Sequence, residues 1–347
     1  MSSRNVESDR PVGVSPLIGS IRTGVGRRTE RSRATLRARS AFKQLSPVTT
    51  RGSIEHADVV LISVMRNEAP RLPFWLRFYE QLGVDHFLIV DNGSTDDTIP
   101  CLSAADQVTV YRTEASYKDA EFGVDWVNAV AQAHCRDKWV LFVDSDEFLS
   151  FDGAETRGLP ELVRLMRDRR IDSLQCLLLD LYSRQDVRNN VVRTGESPFD
   201  VCNLFDGLGY GRNFDPVTRT TWITGGVRDR MFFGENPVGS PALNKTPLVR
   251  WSGGPRFLQS AHRLAPAAFN SQSDRAGLTG VLLHQRFLAS VGAKMTDSAH
   301  VQQHNPEYAR YIGFGDASPF SEALTRVYTS SDDLVGNGLM SRIDWDR

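Results

Sequence analysis

The sequence has no long apolar run, and this absence sets the first limits on the protein. None of its hydrophobic stretches approaches the ~20 consecutive apolar residues of a transmembrane helix. The first residues also lack the apolar centre of a secretory signal. We therefore expect a cytoplasmic protein with one large domain and tails, for which 347 residues give ample length.

Cysteine is scarce as well. The sequence has four cysteines, all far apart and without a CxxC pair: Cys101, Cys135, Cys176 and Cys202. This spacing indicates neither a disulfide framework nor a zinc site, and a reducing compartment is expected.

Glycine is missing from residues 63–68, which follow the first strong apolar run. A nucleotidyltransferase usually carries a Gly-rich phosphate loop at that point, so this class is disfavoured.

Acidic residues are rare at the start of the chain. Residues 1–51 hold eleven Lys and Arg and three acidic residues, which gives a net charge of +8. Because the net charge of the whole chain is −1, residues 52–347 carry −9. Because this segment is rich in Arg, Ser and Thr and poor in large apolar residues, we expect residues 1–56 to be a disordered basic tail. The tail is either solvated, in peripheral contact with an anionic membrane or polymer, or an organellar transit peptide.

Apolar runs alternate with helical patterns from residue 58 onward. Strands are predicted at 58–65, 86–90, 108–111, 139–143 and 173–182. Helices are predicted at 72–82, 99–102, 121–135 and 157–170, and either a strand or a helix at 278–290. The β-α-β order predicts a mostly parallel sheet with right-handed crossovers. Residues 195–260 are rich in Gly, Pro and aromatics, which favours long loops over a cleft.

Polar clusters follow three predicted strands, at residues 63–68, 91–97 and 144–147. Ligands bind at the carboxyl edge of open α/β sheets, so we expect these clusters to form one site. Asp144, Asp146 and Glu147 are three carboxylates within four positions, a crowding that needs compensating positive charge. Mg²⁺ or Mn²⁺ is the natural partner, since these ions take oxygen ligands and bridge to phosphates. The alternative is an acidic turn that caps the next helix.

Two segments carry a resemblance to a known family. VMRNEAPRLPFWLRFYEQLGVDHFLIVDNGSTDDT at 64–98 and WVLFVDSDEFL at 139–149 resemble the nucleotide-binding half of GT-A glycosyltransferases, in the family-2-like branch with a D-x-D-E strand end. The resemblance covers residues 58–150 and continues in patches at 225–232, 245–251, His262 and His284. It implies an α/β fold of GT-A type, with a mostly parallel sheet flanked by helices and a loop-rich acceptor half.

The resemblance also implies an organisation and an activity. Residues 57–152 would bind the nucleotide sugar, 153–325 would form the acceptor half of the same domain, and 326–347 would be a tail. The implied reaction is metal-dependent, inverting transfer of a hexosyl group from a UDP- or GDP-sugar to a glycan, lipid or polysaccharide acceptor, as in polysaccharide biosynthesis, with no nucleic-acid partner. Nucleotidyl transfer, or nucleotide or glycan binding without catalysis, is the alternative.

Site roles follow from the same resemblance. Asp144 and Asp146 would hold Mn²⁺ or Mg²⁺ against the donor diphosphate, with His284, or alternatively His262, as a third ligand. Donor-binding residues would be Asn67, Glu68, Asp91, Asn92, Asp144, Arg228 and Lys245. Each has a structural alternative, such as a helix start for Asn67 and Glu68 or a turn for residues 91–93.

Inverting transfer further needs a general base on the acceptor hydroxyl. Asp229 in GGVRDRMF is the candidate, and Glu235 is the second choice. The flanking Arg228 and Arg230 would engage phosphates in a bidentate manner. The alternative is an ordinary surface ion pair between Asp229 and one of these arginines.

Overall fold

The computed structural model describes residues 24–234, 239–289 and 318–346. Its helices are α1 (Gly24–Phe42), α2 (Leu72–Leu82), α3 (Thr98–Ala104), α4 (Val124–His134), α5 (Leu159–Asp168), α6 (Gly226–Arg228), α7 (Gln272–Arg275) and α8 (Ser331–Gly336). A π-helical turn, Asp229–Phe233, continues α6. No helix in these ranges combines the length and apolar character needed to cross a membrane.

The strands divide into one large sheet and three small pairs. The strands of the large sheet are β1 (Ser46–Arg51), β2 (Val59–Met65), β3 (His86–Asp91), β4 (Val108–Arg112), β5 (Lys138–Phe142), β6 (Glu147–Ser150), β7 (Ser173–Asp180), β11 (Asn244–Trp251) and β14 (Thr279–His284). The paired strands are β8 (Leu204–Asp206) with β15 (Thr325–Val327), β9 (Tyr210–Asp215) with β10 (Thr220–Gly225), and β12 (Arg256–Gln259) with β13 (Arg263–Ala265).

The large sheet has the order β1-β4-β3-β2-β5-β11-β7-β14-β6. Strands β4, β3, β2 and β5 are mutually parallel. Because β11 is antiparallel to both β5 and β7, and β14 is parallel to β7, six of the nine strands run in one direction. Helices cover both faces. The topology confirms the predicted fold class, an α/β domain with a mostly parallel sheet flanked by helices.

The pattern of strand β2 shows why two helical layers form. Val59 and Leu61 face one core, while Val60 and Ile62 face the other, and all four are fully buried. Helix α2 covers the first face with its predicted apolar side, the residues Leu72, Trp75, Leu76, Tyr79 and Leu82. Gly83 then ends the helix in the left-handed region (φ 98°), as its position after the apolar pattern predicted. Helix α4 covers the opposite face.

The prediction of long loops at 195–260 is wrong for the short strands β8, β9, β10 and β12 and for β11, which lies in the large sheet between β5 and β7. Pro247 lies within this strand, and proline has no N–H to donate to a sheet ladder. The pairing with β7 shifts register between Lys245 and Leu248, and this irregularity accommodates the proline. Because such a bulge is set by the neighbouring strands, local composition did not reveal the strand.

The prediction of a disordered tail at 1–56 is wrong for residues 24–51. Ala34, Ala38 and Ala41 of α1 are buried, the latter two in the core that α4 helps to form, and β1 pairs with β4 at the edge of the sheet. Arg37 donates to Asp125 on α4 at 3.0 Å. The arginine-rich composition hid the alanines at i, i+4 and i+7, which let two helices approach closely. Residues 1–23 lie outside the described residues.

The predicted C-terminal tail at 326–347 also belongs to the fold, as far as residue 346 is described. Strand β15 pairs with β8, and α8 begins at Ser330 with a reciprocal capping box involving Asp333. Met340 and Ile343 are buried in the main core. The weak periodicity of this segment reflects short elements that bury isolated side chains.

Removing residues 1–52 is expected to lower the free energy of unfolding by about 3–5 kcal/mol, because Leu45 and the three buried alanines of α1 lose their burial. Chemical denaturation of the shortened chain measures this loss. Arg33→Gln, on the exposed side of α1, is the control and should change stability by less than about 0.5 kcal/mol. An unchanged denaturation midpoint for the shortened chain would contradict the packing role of α1.

Candidate active site

Strand pairing brings distant polar residues to one edge of the sheet. Asp144 and Asp146 lie between β5 and β6, while Asp180 and His284 end β7 and β14. Strand β14 lies between β7 and β6, so that His284 is paired with Asp180 on one side and with Glu147 on the other. This edge includes the carboxyl ends of the parallel strands, where the sequence predicted a site.

His284 connects two carboxylates. Its Nε2 lies 3.4 Å from Asp146 Oδ2, and its Nδ1 donates to Asp180 Oδ1 at 2.7 Å. Arg228 Nε donates to Asp180 Oδ2, also at 2.7 Å. Asp180 and Arg228 are buried, so Asp180 holds the imidazole with Nε2 directed toward Asp146. Such a carboxylate contact orients a metal-ligating histidine in many proteins.

Sequence reasoning missed Asp180. It ends the apolar run 173–180 and thus obeys the same rule that singled out Asp91 and Asp144, a polar residue at the carboxyl end of a strand. The predicted strand at 173–182 places Asp180 inside the strand, and no local feature indicates that β7 lies beside β14.

Contacts between charged side chains determine the pKa values of Asp146 and His284. Burial alone would raise the pKa of Asp146, but the positive charges of His284 and Arg71 outweigh it and hold that pKa well below its usual range. Burial alone would lower the pKa of His284, but Asp146 and Asp180 outweigh it and raise the pKa to about 9. Without metal, the two carboxylates thus favour the protonated imidazole near neutral pH, and a metal ion bound at Nε2 would displace that proton.

Lys245 contacts the other two carboxylates of the acidic cluster, Asp144 and Glu147. Its Nζ lies 2.9 Å from Glu147 Oε1 and 3.7 Å from Asp144 Oδ2, and its side chain is buried. The Asp144 N–H donates to Glu147 Oε2 at 3.1 Å. Desolvation first, and the charge of Glu147 second, raise the pKa of Asp144. Lys245 thus compensates the crowded carboxylates, a contact that the sequence did not predict.

The carboxylate oxygens at this edge suit Mn²⁺ or Mg²⁺, which prefer oxygen ligands, and the added imidazole nitrogen favours Mn²⁺ of the two. Of the predicted ligands, Asp146 and His284 lie together, whereas Asp144 faces Lys245. Across the part of the chain that the structure describes, no three His, Cys, Asp or Glu side chains are already arranged around a common centre. Asp146 and His284 are therefore the pair that a metal ion would engage first.

His262, the alternative ligand, has a different environment. Its Nδ1 donates to the carbonyl oxygen of Asn244 on β11 at 2.6 Å. Burial first, and the charge of Lys245 second, lower its pKa to about 3, so the imidazole is neutral. The described contacts tie His262 to the strand backbone and not to Asp144 or Asp146.

Asp91 ends β3 and is fully buried. Its Oδ2 accepts from the N–H of Ser94 at 3.1 Å and lies 3.9 Å from Arg112 Nη1. Its Oδ1 is buried and has no hydrogen-bond partner among the described residues. Buried acceptors are normally satisfied, so this oxygen is suited to a ligand N–H or O–H.

Two further predicted donor-binding residues hold neighbouring loops together. Asn67 adopts a positive φ of 55°, and its Oδ1 accepts from the N–H of Thr95 at 2.8 Å. Asn92 Nδ2 donates to the carbonyls of Thr113 (3.3 Å) and Ala115 (3.0 Å). Both side chains therefore fix the loops that follow β2, β3 and β4, and their role in donor binding stays a prediction.

Arg71 links the first loop to the acidic cluster. It is the N-cap residue of α2 and lies 3.7 Å from Glu68 Oε2 and 3.8 Å from Asp146 Oδ2. Its side chain is 14% exposed. Sequence reasoning missed this residue, because its charge points to no partner until α2 is placed beside the strand end. Arg71 thus contacts both Glu68 and the predicted metal ligand Asp146.

Asp229 lies in the π-helical turn after α6, with its Oδ1 buried and without a hydrogen-bond partner in the described chain. Its predicted surface pairing with neighbouring arginines is absent from the described contacts, because Arg228 pairs with Asp180 and Arg230 with Asp206, each at 2.7 Å. The predicted bidentate phosphate contacts of the two arginines stay a prediction. Glu235 lies outside the described residues.

Comparison with curated proteins finds partial similarity to glycosyltransferase family 92 proteins. One from Arabidopsis thaliana is 29% identical over 113 residues, 32% of this chain and 19% of that protein. One from Oryza sativa subsp. japonica is 32% identical over 97 residues, 27% of this chain and 16% of that protein. The chain thus spans less than a fifth of the length of these relatives. No family model matches the chain.

Comparison with solved structures gives only distant similarity. A Pyrobaculum calidifontis mannosyltransferase in complex with GDP-Man and Mn²⁺ is 18% identical and has a TM-score of 0.28, over 44% of this chain and 45% of that chain. A UTP-bound UGPase from Acinetobacter baumannii is 8% identical and has a TM-score of 0.29, over 74% of this chain and 97% of that chain. Similarity at this level has no bearing on function.

Proposed function

We propose that this protein is a metal-dependent glycosyltransferase of the family-2-like, D-x-D-E type, which transfers a hexosyl group with inversion from a UDP- or GDP-sugar to a glycan, lipid or polysaccharide acceptor. One observation carries the proposal. Asp146, at the edge of the sheet, faces His284 Nε2 at 3.4 Å, and Asp180 holds the opposite nitrogen of the same ring. Partial similarity to proteins named glycosyltransferase family 92 supports the same class.

Each residue has a distinct part in this proposal. Asp146, His284 and Asp144 would hold Mn²⁺ or Mg²⁺, and the bound ion would offset the charge that develops on the leaving nucleoside diphosphate. Asp180 positions His284, and Lys245 keeps Glu147 and Asp144 compensated. Asp91 would accept a hydrogen bond from the nucleoside through Oδ1. Asp229 would accept the proton of the acceptor hydroxyl.

The test is a panel of nucleotide sugars, assayed with Mn²⁺, with Mg²⁺ and with EDTA for release of nucleoside diphosphate. A glycosyltransferase releases the diphosphate only with its own donor, and EDTA stops the release. Release of pyrophosphate from a nucleoside triphosphate and a sugar phosphate would instead show nucleotidyl transfer. Thermal stabilisation by donor without any turnover, including with glycan acceptors, would show a binding protein.

The two histidines are expected to differ in metal dependence. His284→Gln should weaken Mn²⁺-dependent donor binding at least tenfold, because even the loss of a residue that merely orients a metal ligand costs about 10–100-fold. His262→Gln is the matched control and should leave Mn²⁺ dependence unchanged, since its described hydrogen bond goes to the Asn244 carbonyl. Titration of Mn²⁺ at fixed donor, followed by thermal shift, measures both. The reverse pattern would assign His262 to the metal.

Asp91→Ala should weaken nucleotide binding about tenfold to a hundredfold, because a hydrogen bond to a charged group contributes about 1.5–3 kcal/mol. The dependence on metal should persist, since Asp91 would contact the base or ribose and not the phosphates. Calorimetric titration with the nucleoside diphosphate gives the affinity. Unchanged affinity in a folded variant would remove Asp91 from the donor site.

A further inference from the structure

The outward side of helix α1 is a cationic surface with an apolar residue at its centre. Arg33, Leu36 and Arg39 recur at a spacing of three, and Lys43 follows directly after the last turn. All four are exposed, Leu36 to 63%. Residues three or four apart lie on one side of a helix, so these four form a continuous surface, the α1 face. The alanines of α1 anchor its opposite side in the fold.

In the described part of the chain, the cations of the α1 face have no acidic ion-pair partner. Glu30 is the one acidic residue in the sequence of α1, and its carboxylate lies 3.3 Å from Arg263. Within residues 24–234, 239–289 and 318–346, no carboxylate lies within ion-pair distance of Arg33, Arg39 or Lys43. The surface therefore presents net positive charge to whatever lies outside the molecule.

Cations also crowd at the flank of this face. Arg256 on β12 is buried, and burial first, then the charges of Arg31 and Arg39, lower its pKa. A further cation would be repelled here and an anion attracted. The wider charge distribution adds to this preference, because residues 1–51 carry +8 and residues 52–347 carry −9. An anionic surface would attract the α1 face and repel much of the remaining chain, which selects one orientation.

We propose that the α1 face docks on an anionic lipid bilayer, with Arg33, Arg39 and Lys43 against the headgroups and Leu36 at the boundary with the acyl chains. Charge complementarity favours an anionic partner, since juxtamembrane cations are attracted to acidic lipids. Leu36 favours lipid over a hydrated polyanion, because an apolar side chain gains free energy only where it leaves water. The docking surface is independent of the proposed catalytic function.

Co-sedimentation of the full chain with vesicles tests this. Binding to phosphatidylcholine vesicles that contain phosphatidylserine should exceed binding to pure phosphatidylcholine, and should fade as salt rises. R33Q/R39Q should lower the partition coefficient about thirtyfold, roughly fivefold for each cation. R164Q/R170Q is the matched control. It removes equal charge at exposed arginines in and just after α5, which packs on the other face of the sheet, and should change nothing.

Leu36→Ser separates lipid from polyanion. It should weaken vesicle binding about tenfold, the loss expected when one leucine no longer leaves water, and should leave binding to heparin, a soluble polyanion, unchanged. Equal vesicle binding by R33Q/R39Q and R164Q/R170Q would overturn the docking surface. Arginine-dependent heparin binding, with vesicle binding indifferent to Leu36→Ser, would overturn the lipid assignment in favour of a polyanionic partner.

Discussion

Replacing Asp229 by asparagine is expected to lower the turnover number by about 10²–10⁴-fold, the range that general base catalysis contributes. Asparagine keeps the shape of the side chain but cannot take the proton of the acceptor hydroxyl. Asp229 Oδ1 is buried and has no hydrogen-bond partner in the described chain, so an incoming hydroxyl has no internal donor to displace. Nucleoside diphosphate release with acceptor present, under saturating donor and Mn²⁺, measures the effect.

Donor and metal binding should survive this change, because the described contacts of Asp146 and His284 do not include Asp229. Asp215→Asn, at the end of β9 in the same half of the chain, is the control and should retain turnover. If Asp229→Asn folds and turns over normally, the base lies elsewhere, and Glu235→Gln becomes the next variant to measure.

Asp146→Asn should abolish the dependence on metal and lower kcat/KM by about 10²–10³-fold, the cost of removing one group that stabilises charge in the transition state. In the unchanged protein, ligand at a hundred times its Kd should stabilise the fold by about 2.7 kcal/mol. The variant should lose the part of this stabilisation that EDTA removes. Thermal unfolding with nucleotide, with and without Mn²⁺, measures both quantities.

Asp172→Asn is the matched control for this experiment. Asp172 lies just before the start of β7, at the opposite end of the strand from Asp180, and it also faces an arginine, Arg250, at 3.7 Å. It should leave both metal response and turnover unchanged. If Asp146→Asn retains the Mn²⁺-dependent stabilisation, the cluster at 144–147 is an acidic turn braced by Lys245 and His284, and the metal proposal fails.

Local patterns predicted much of the first half of the chain. The apolar runs of β2, β3, β4 and β5 and the five-residue apolar side of α2 are properties of neighbouring residues, so they can be read without knowledge of the fold. The same holds for the position of Asp91 and Asp144 after strand ends, and for the glycine that ends α2. These segments fold as the sequence indicates, because each buries its own apolar side on a single sheet.

Composition misled where small or interrupted elements pack against distant partners. The many arginines of α1 obscured its helical pattern. Its three buried alanines are small, and they pack only because α4 lies close to them in the fold. Strand β11 was hidden by Pro247, which is tolerated through an irregular pairing with β7. In both cases the partner lies far along the chain, so no local window contains the signal.

The sequence by itself determined the α/β alternation and the carboxylates at the strand ends, because hydrophobic periodicity and strand termini are local. Tertiary structure decided which distant groups join those carboxylates. Strand β14 lies between β7 and β6, and this pairing places His284 between Asp146 and Asp180. His262 lies in the turn just before β13, where its side chain donates to the Asn244 carbonyl on β11. The two histidines look alike in sequence, and they differ only because strands separated by many residues pair in one register.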